Sequence, residues 1–274
     1  MVTLSVDRKS CKGDGRCVEI CPMQILVMNK DEKVPEFIPG GAETCINCGH
    51  CVSFCPPASL SLSSMDAKKC QRLDHSKLPS AEGAELLMKG RRSVRLYKDV
   101  PVPKEAIEKI IDIARYAPSG INRQPVSWAV LNGKDKVHEL ASLTEKWTED
   151  LIAAKSAMAE AFNFSRIVKL WNNGEDTICR GAPCVIIAYG VKDDPLVPQS
   201  CTIAATYLEL AAFASGLGAC WAGYVNMAIN TSDEVRKFAG LPSRAIAGAV
   251  MMVGEPKYRF SRIPSRNPAR ILWK

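Results

Sequence analysis

The sequence lacks the signatures of several common classes of enzyme. It holds only three histidines among 274 residues, and it contains neither the HExxH motif of zinc proteases nor the P-loop of nucleotide hydrolases. No G-x-G-x-x-G fingerprint is present, so a dedicated dinucleotide-binding domain is not expected. No set of Ser, His and Asp residues suggests nucleophilic catalysis. A protein without these groups can leave the reaction chemistry to a bound cofactor.

Long apolar runs are also missing. No stretch approaches the ~18 uninterrupted apolar residues of a transmembrane helix, and Met1–Lys9 lacks the apolar run of a signal peptide. We therefore expect a cytoplasmic protein that does not bind membranes. The formal net charge is +7, but Lys and Arg are scattered along the chain, so nucleic-acid binding is not expected either.

Cysteine, by contrast, is abundant, and most of it falls in two short runs. Twelve cysteines are present. The complete run has C-x2-C-x2-C-x3-C-P spacing and consists of Cys45, Cys48, Cys51 and Cys55. The other run matches it at a constant offset of 34 residues and consists of Cys11, Cys17 and Cys21. Asp14 stands where the complete run has its second cysteine.

This spacing is typical of loops that bind iron–sulfur clusters. The two-residue steps let one tight loop direct several thiolates at a cubane, and the last cysteine lies one helical turn further along. Structural zinc is the alternative, because zinc also binds C-x2-C pairs. Zinc takes four ligands and gives no reason for a repeated run with a trailing proline, so the pattern favours two clusters.

On these motifs, about residues 1–65 resemble two-cluster bacterial ferredoxins. The resemblance implies that the last cysteine of each run reaches across to the other cluster. Cluster one would then be held by Cys11, Asp14, Cys17 and Cys55. Cluster two would be a 4Fe-4S cluster held by Cys45, Cys48, Cys51 and Cys21.

Asp14 leaves the nature of cluster one open. A carboxylate can complete a four-iron site, although it is a harder ligand than a thiolate and suits iron less well. We expect an Asp14-ligated 4Fe-4S cluster. The alternatives are a 3Fe-4S cluster with Asp14 turned away, or one iron atom that exchanges.

The composition divides the chain into three parts. We predict a ferredoxin-like domain at residues 1–65, a polar linker without periodicity at 66–80, and a larger α+β domain at 81–274. Three cysteines of the larger domain lie in apolar runs, where small buried side chains are expected, and they are Cys184, Cys201 and Cys220.

Helix and strand patterns alternate in the larger domain. Lys104–Tyr116 has the apolar spacing of a helix, and strands are predicted at Val126–Leu131, Cys184–Tyr189, Ala219–Val225 and Ala245–Val253. Thr202–Ser215 is an Ala-rich helix whose single charge is Glu209. A helix that is apolar all round must be buried on every side, and one domain of this size hardly achieves that alone, which suggests the core of a dimer.

Three stretches of this domain carry groups suited to a ligand. Arg91–Arg95 reads R-R-S-V-R, which is either a solvated basic turn or a partner for oxyanions, because guanidinium groups present forked donors. Ala117–Pro125 reads A-P-S-G-I-N-R-Q-P and places amide side chains in a turn that enters a strand. Arg259–Arg270 is cationic and interrupted by two prolines.

Together these stretches resemble the FMN-dependent nitroreductase family over about residues 84–274. The other matching motifs are G-L-G-A-C-W-A-G-Y, V-G-E-P-K-Y and a downstream S-R-N-P. The resemblance implies a homodimer with FMN at the subunit interface. The residues that it implies for FMN binding are Arg91, Arg92, Ser93, Arg95, Ser119, Gly120, Asn122, Gln124, Trp221, Ala222, Gly223, Arg262 and Arg266. Four aromatic residues either roof a substrate pocket or belong to the core, and they are Trp147, Phe162, Phe164 and Trp171.

The two resemblances combined predict a flavin oxidoreductase joined to its own ferredoxin domain. Electrons would pass from the clusters to FMN and then to an electron-poor small molecule, such as a nitroaromatic compound or a quinone. An electron-donor protein is an expected partner. The alternative is a non-catalytic electron carrier that serves a partner protein, and turnover with small acceptors distinguishes the two.

Overall fold

The computed structural model describes residues 1–274, which divide into two compact units. The first unit contains Met1–Leu78 together with Gly120–Arg123. The second contains Pro79–Ser119 and Gln124–Lys274. None of the helices combines the length and the apolar character that a membrane crossing requires. The domain limits predicted from the sequence stay predictions.

The first unit is built from short elements. Its strands are β1 (Leu4–Val6), β2 (Leu26–Met28), β3 (Pro35–Phe37) and β4 (Leu60–Leu62). Its α-helices are α1 (Arg16–Glu19), α2 (Gly41–Thr44) and α3 (His50–Ser53). β1 pairs antiparallel with β4, and β2 pairs antiparallel with β3. The cysteine loops connect these short helices and strands.

The offset of 34 residues between the cysteine runs is repeated in the backbone. α1 and α3 are related by this offset, and so are β2 and β4. Each helix follows a left-handed glycine, Gly15 with φ 72° and Gly49 with φ 72°. This left-handed backbone favours glycine at both positions. The duplication is therefore present in the structure as well as in the sequence.

The second unit combines one antiparallel sheet with eight helices. The strands are β5 (Ser127–Asn132), β6 (Cys184–Val191), β7 (Gly218–Trp221) and β8 (Ala245–Gly254), in the order β5-β6-β8-β7. The helices are α4 (Ala81–Gly90), α5 (Lys104–Ala114), α6 (Lys134–Ala153), α7 (Ala157–Ala161), α8 (Phe164–Asn172), α9 (Val197–Ala214), α10 (Gly223–Thr231) and α11 (Asp233–Phe238). The α+β class expected from the sequence is confirmed.

Helices cover both faces of this sheet, which explains the continuous apolar sequence of β6. Val185 and Ile187 pack into one core cluster with residues of α6, α8 and α10. Ile186 and Ala188 pack into a second core cluster with residues of α5 and α9. Side chains alternate between the two faces of a strand, so a strand covered on both sides has no polar face.

The strand predicted at Ala219–Val225 is wrong beyond Trp221. β7 ends there, and Gly223 begins α10. A short apolar run does not distinguish a strand from a buried helix by periodicity. The helical spacing emerges only further along, where Val225, Ala228 and Ile229 are buried.

α9 is not buried on every side within one chain, in line with the expectation that a single domain cannot cover Thr202–Ser215 alone. One face packs on the sheet and on α5. The other face is exposed at Thr202 and Thr206, and 40% exposed at Tyr207 and at Phe213. This outward face carries no charged side chain.

Close packing of α9 on β8 gives a test of the fold. A Cβ at Gly248 would lie inside van der Waals contact with Cys201 Cβ on α9. Because both atoms are fixed to backbone, Gly248→Ala should lower the free energy of unfolding by about 1–3 kcal/mol. Chemical denaturation measures this change. Gly83→Ala on the exposed face of α4 is the control and should be neutral or slightly stabilising; equal losses in both variants would contradict the packing.

Candidate functional site

The predicted ligands of cluster one line a single pocket, called here the first cysteine pocket. They are Cys11, Asp14, Cys17 and Cys55. Burial raises the pKa of the Cys17 thiol, and the neighbouring Cys11 and Cys55 raise it further. The backbone N–H of Ser59 donates a hydrogen bond to Cys55 Sγ at 3.3 Å. The pocket therefore draws on both cysteine runs and already offers a main-chain donor to sulfur.

The predicted ligands of cluster two line the second cysteine pocket, also within the first unit. They are Cys21, Cys45, Cys48 and Cys51. The pKa of the Cys51 thiol is raised to about 11, first by burial and then by its neighbours Cys48, Cys21 and Cys45. Here too, one cysteine comes from the other run, as the ferredoxin resemblance implies.

These two sets of donors fit iron–sulfur clusters better than single metal ions. No group of three or more His, Cys, Asp or Glu side chains is gathered closely enough to hold one ion. In a cubane each thiolate binds a different iron atom, so the ligands stay further apart than the four ligands of one zinc. The raised pKa values of Cys17 and Cys51 mean that binding of iron must release protons. The residue-by-residue ligand sets stay predictions.

Asp14 lies in the lining of the first cysteine pocket beside Arg16. One carboxylate oxygen accepts a hydrogen bond from the Arg16 backbone N–H at 3.3 Å, and the other lies 3.5 Å from Arg16 Nε. The two side chains are 39% and 58% exposed, so this ion pair is weak and a metal can displace it.

The basic turn Arg91–Arg95 is fastened to the sheet and is not a free solvated turn. The backbone N–H of Val94 donates to Ala219 O in β7 at 2.9 Å. Gly218 permits this approach, since a Cβ there would lie 2.5 Å from Val94 Cγ2. Burial raises the pKa of the Cys220 thiol, and the neighbouring Arg95 and Ser93 act in the opposite direction. These contacts hold Arg95 beside the end of β7.

A pocket of about 380 Å³ opens at the end of β7, and we call it the Trp221 pocket. Its lining combines Arg95 and Arg180 with apolar and aromatic side chains, namely Phe162, Ile178, Trp221, Tyr224, Met227 and Met252. Apolar walls with a few polar groups, at this volume, are typical of small-molecule sites. Thr177 Oγ1, also in the lining, is buried without a hydrogen-bond partner. A bound ligand can satisfy that hydroxyl.

Thr177 and Arg180 line this pocket although no sequence motif indicated them. They lie on a turn before β6, where the Asp176 carboxylate accepts backbone N–H groups of Ile178, Cys179 and Gly181 at 2.8–2.9 Å. Arg180 itself has a left-handed backbone with φ 61°. The available signal was an Asp followed by a Gly-Ala-Pro boundary, which predicts a turn but not the pocket that it faces.

Only part of the predicted FMN set meets in the Trp221 pocket. Arg95, Trp221 and Gly223 line it, and Ala222 is buried between the last two. Arg92 and Ser93 are half-buried in the fastened turn.

The other predicted FMN residues lie elsewhere. Ser119 and Gln124 line a separate pocket of the second unit, whereas Gly120 and Asn122 belong to the first unit. Arg262 and Arg266 lie in residues 259–274, which are exposed and form neither helix nor strand. Within the second unit, the Trp221 pocket is therefore lined by only part of the predicted set.

The four singled-out aromatic residues divide between the two alternatives. Trp147 and Phe164 are core, with ring centroids 5.4 Å apart. Trp171 is packed against the same core and stacks on His138. Phe162 is 48% exposed and lines the Trp221 pocket. Only Phe162 is thus placed to contact a ligand there.

Arg91 differs from the other cations of the basic turn because it has a buried partner. Its guanidinium Nη1 donates to Glu209 Oε1 on α9 at 2.8 Å. The Arg91 side chain is 25% exposed and that of Glu209 is 8% exposed. The single charge of α9 is therefore compensated within the chain, which explains why a helix packed against the core can carry a carboxylate.

Both parts of the chain match known families. Residues 88–255 match the nitroreductase family, and residues 3–56 match the 4Fe-4S dicluster domain. A ferredoxin of Methanocaldococcus jannaschii is 35% identical over 68 residues, which cover 25% of this chain and 87% of the ferredoxin.

Two further relatives match the larger part. A protein of Methanothermobacter thermautotrophicus, provisionally described as an NADH dehydrogenase/NAD(P)H nitroreductase, is 27% identical over 173 residues, covering 62% of this chain and 75% of the relative. The crystal structure of a nitroreductase with bound FMN from Bacteroides fragilis superimposes with a TM-score of 0.56 at 20% identity, covering 69% of this chain and 97% of that one. The latter likeness is one of fold.

The buried ion pair of Arg91 and Glu209 gives a prediction about the stability of the fold. Arg91→Ala leaves the Glu209 carboxylate buried and unpaired, and should lower the free energy of unfolding by about 3 kcal/mol. The double variant Arg91→Met with Glu209→Leu should recover most of that loss. Arg115→Ala, which removes an exposed pair with Asp112 (side chains 59% and 63% exposed), is the control and should change stability little. Urea unfolding of the three variants decides; equal effects of Arg91→Ala and Arg115→Ala would contradict it.

Asp14 gives a second prediction. If Asp14 ligates iron, Asp14→Ala should convert cluster one to a three-iron form with its own EPR signal, whereas Asp14→Cys should keep four irons and four thiolates. Iron and sulfide analysis of anaerobically purified protein measures the difference. Equal iron content in wild type and Asp14→Ala, with unchanged EPR spectra, would show that Asp14 is not a ligand.

Proposed function

Since this chain belongs to the nitroreductase family and begins with a 4Fe-4S dicluster region, we propose that it is an FMN-dependent oxidoreductase that relays electrons from its clusters to flavin and reduces an electron-poor small molecule. The acceptor class is a nitroaromatic compound or a quinone. The observation that carries the proposal is the presence, in one chain, of two cysteine pockets and of a pocket with apolar walls and two guanidinium groups.

FMN suits the residues of the second unit on the chemistry of its donors. Arg95 and Arg180 bring two positive charges to the Trp221 pocket, which supports binding of an anionic cofactor. Gly223 begins α10 and has open space where a side chain would stand, so a flat ring can approach its backbone. The unpaired Thr177 hydroxyl is available to a polar edge. The nitroreductase of known structure with bound FMN has the same fold.

When bound, the flavin supplies hydride chemistry and the clusters supply one-electron transfer. The chain supplies position and charge. Arg95 and Arg180 stabilise negative charge in the pocket, and the hydrogen bond from Val94 to β7 keeps the first of them in place. Phe162, Tyr224 and Trp221 offer aromatic surfaces on which a planar acceptor can stack.

We further propose that the functional form is a homodimer. The predicted FMN residues are divided among separate places in one chain, and a second subunit can supply those that the Trp221 pocket lacks. The outward face of α9 has no charged side chain and exposes Tyr207 and Phe213, which suits a subunit interface.

The relay is tested by cutting it at cluster two. With reduced ferredoxin as donor and a nitroaromatic acceptor under anaerobic conditions, Cys48→Ser should nearly abolish turnover, because Cys48 lies in the second cysteine pocket. Cys70→Ser is the matched control: Cys70 is exposed, lines neither cysteine pocket, and should leave turnover and iron content unchanged.

Each result has a defined meaning. Equal turnover in Cys48→Ser and wild type would refute the relay. Wild-type protein that holds flavin and iron but never turns over nitroaromatics or quinones would indicate an electron carrier. Protein purified without iron or flavin would overturn the whole proposal.

A further inference from the structure

A small loop of the chain, far in sequence from the cysteine runs, belongs to the first unit. This loop, Gly120–Arg123, is closed at its base by two hydrogen bonds. The Arg123 backbone N–H donates to Gly120 O at 3.1 Å, and the Gln124 backbone N–H donates to Ser119 Oγ at 2.9 Å. Ile121 and Asn122 both have positive φ, 45° and 55°. Asn tolerates this conformation, but it is costly for the β-branched Ile121, so surrounding contacts must hold the loop.

The contact that holds the loop is made by Asn122. Its Nδ2 donates to two backbone carbonyls of the Cys45–Cys48 loop, Ile46 O at 3.2 Å and Asn47 O at 2.9 Å. The same loop is held from another direction, since Ser64 Oγ lies 2.6 Å from Asn47 Oδ1. One side-chain amide therefore uses both of its N–H groups on two consecutive peptides between two predicted cluster ligands.

Peptide geometry turns this contact into a constraint on the cluster loop. In a planar trans peptide the carbonyl and the N–H point in opposite directions. Because Ile46 O and Asn47 O face Asn122, the N–H groups of the same peptides, which belong to Asn47 and Cys48, are directed away from it. Neither N–H has a hydrogen-bond acceptor in the structure. Ile46 and Cys48 line the second cysteine pocket.

We propose that Asn122 is a positioning residue for cluster two: by fixing two carbonyls it holds the Asn47 and Cys48 N–H groups in the orientation in which they can donate to cluster sulfur. Hydrogen bonds to sulfur set the reduction potential of a cluster, and they favour the reduced form, which carries more negative charge. This inference rests on the proposed function, since it requires cluster two. It gives Asn122 a different role from the FMN contact that the family resemblance implies.

The test is an EPR-monitored redox titration of anaerobically purified holoprotein. The signal of cluster two is identified as the one that Cys48→Ser removes or alters. Asn122→Ala should shift the potential of that cluster to more negative values, so that its reduced-to-oxidised ratio at the wild-type midpoint falls about fivefold, roughly the worth of one hydrogen bond. The potential of cluster one should not move.

Two further variants keep the result interpretable. Asn122→Leu keeps the branched side chain with the same number of heavy atoms but removes the donor, and should reproduce the shift even if Asn122→Ala folds poorly. Ile121→Ala shortens the 61%-exposed neighbouring side chain but keeps the amide, and should leave both potentials unchanged.

The outcomes separate this inference from the proposed function. Unchanged potentials in iron-replete Asn122→Ala and Asn122→Leu overturn the positioning role and leave the relay standing. Equal shifts in Ile121→Ala also overturn it, because the loop as a whole would then matter and not the amide. Loss of cluster-two iron in the Asn122 variants alone supports it. Wild-type protein without iron refutes the proposed function itself.

Discussion

The first unit depends on the gathering of seven mostly half-buried cysteine thiols into two pockets. Two short loops bring seven cysteines into two pockets, and burial together with mutual repulsion raises the pKa of Cys17 and Cys51. Such an arrangement is unfavourable for bare thiolates and becomes favourable around a cation. With strands of only three residues, the unit has little apolar core of its own. We therefore expect the folding of this unit to be coupled to the binding of iron.

Features fixed by local chemistry could be predicted from the sequence, whereas features fixed by distant contacts could not. The repeat of 34 residues is visible in the sequence as matching cysteines. The structure repeats it at Gly15 and Gly49, because the left-handed backbone before each helix favours glycine. The buried strands β6 and β8 could also be predicted, because each is an apolar run in the sequence. The helix after Trp221 was not predicted, because its first residues form a short apolar run whose periodicity does not distinguish a helix from a strand.

The candidate sites follow the same division. Motif spacing indicated the cysteines that line each pocket, and the basic turn was singled out as a candidate site. Nothing in R-R-S-V-R indicates that Arg91 pairs with Glu209, 118 residues away. Arg180 and Thr177 escaped notice because their position depends on how Asp176 folds one turn. Asn122 was assigned by its motif, and its hydrogen bonds to Ile46 and Asn47 became visible only in three dimensions.

The uncharged outward face of α9 has a consequence for how the protein behaves in dilute solution. If two copies cover Tyr207 and Phe213 by meeting there, unfolding includes dissociation, and mass action links the melting temperature to the amount of protein present. Cofactor retention then becomes concentration-dependent as well, since a ligand shared between subunits is released when they separate. In that case, dilution alone would release the bound flavin and the protein would lose its colour.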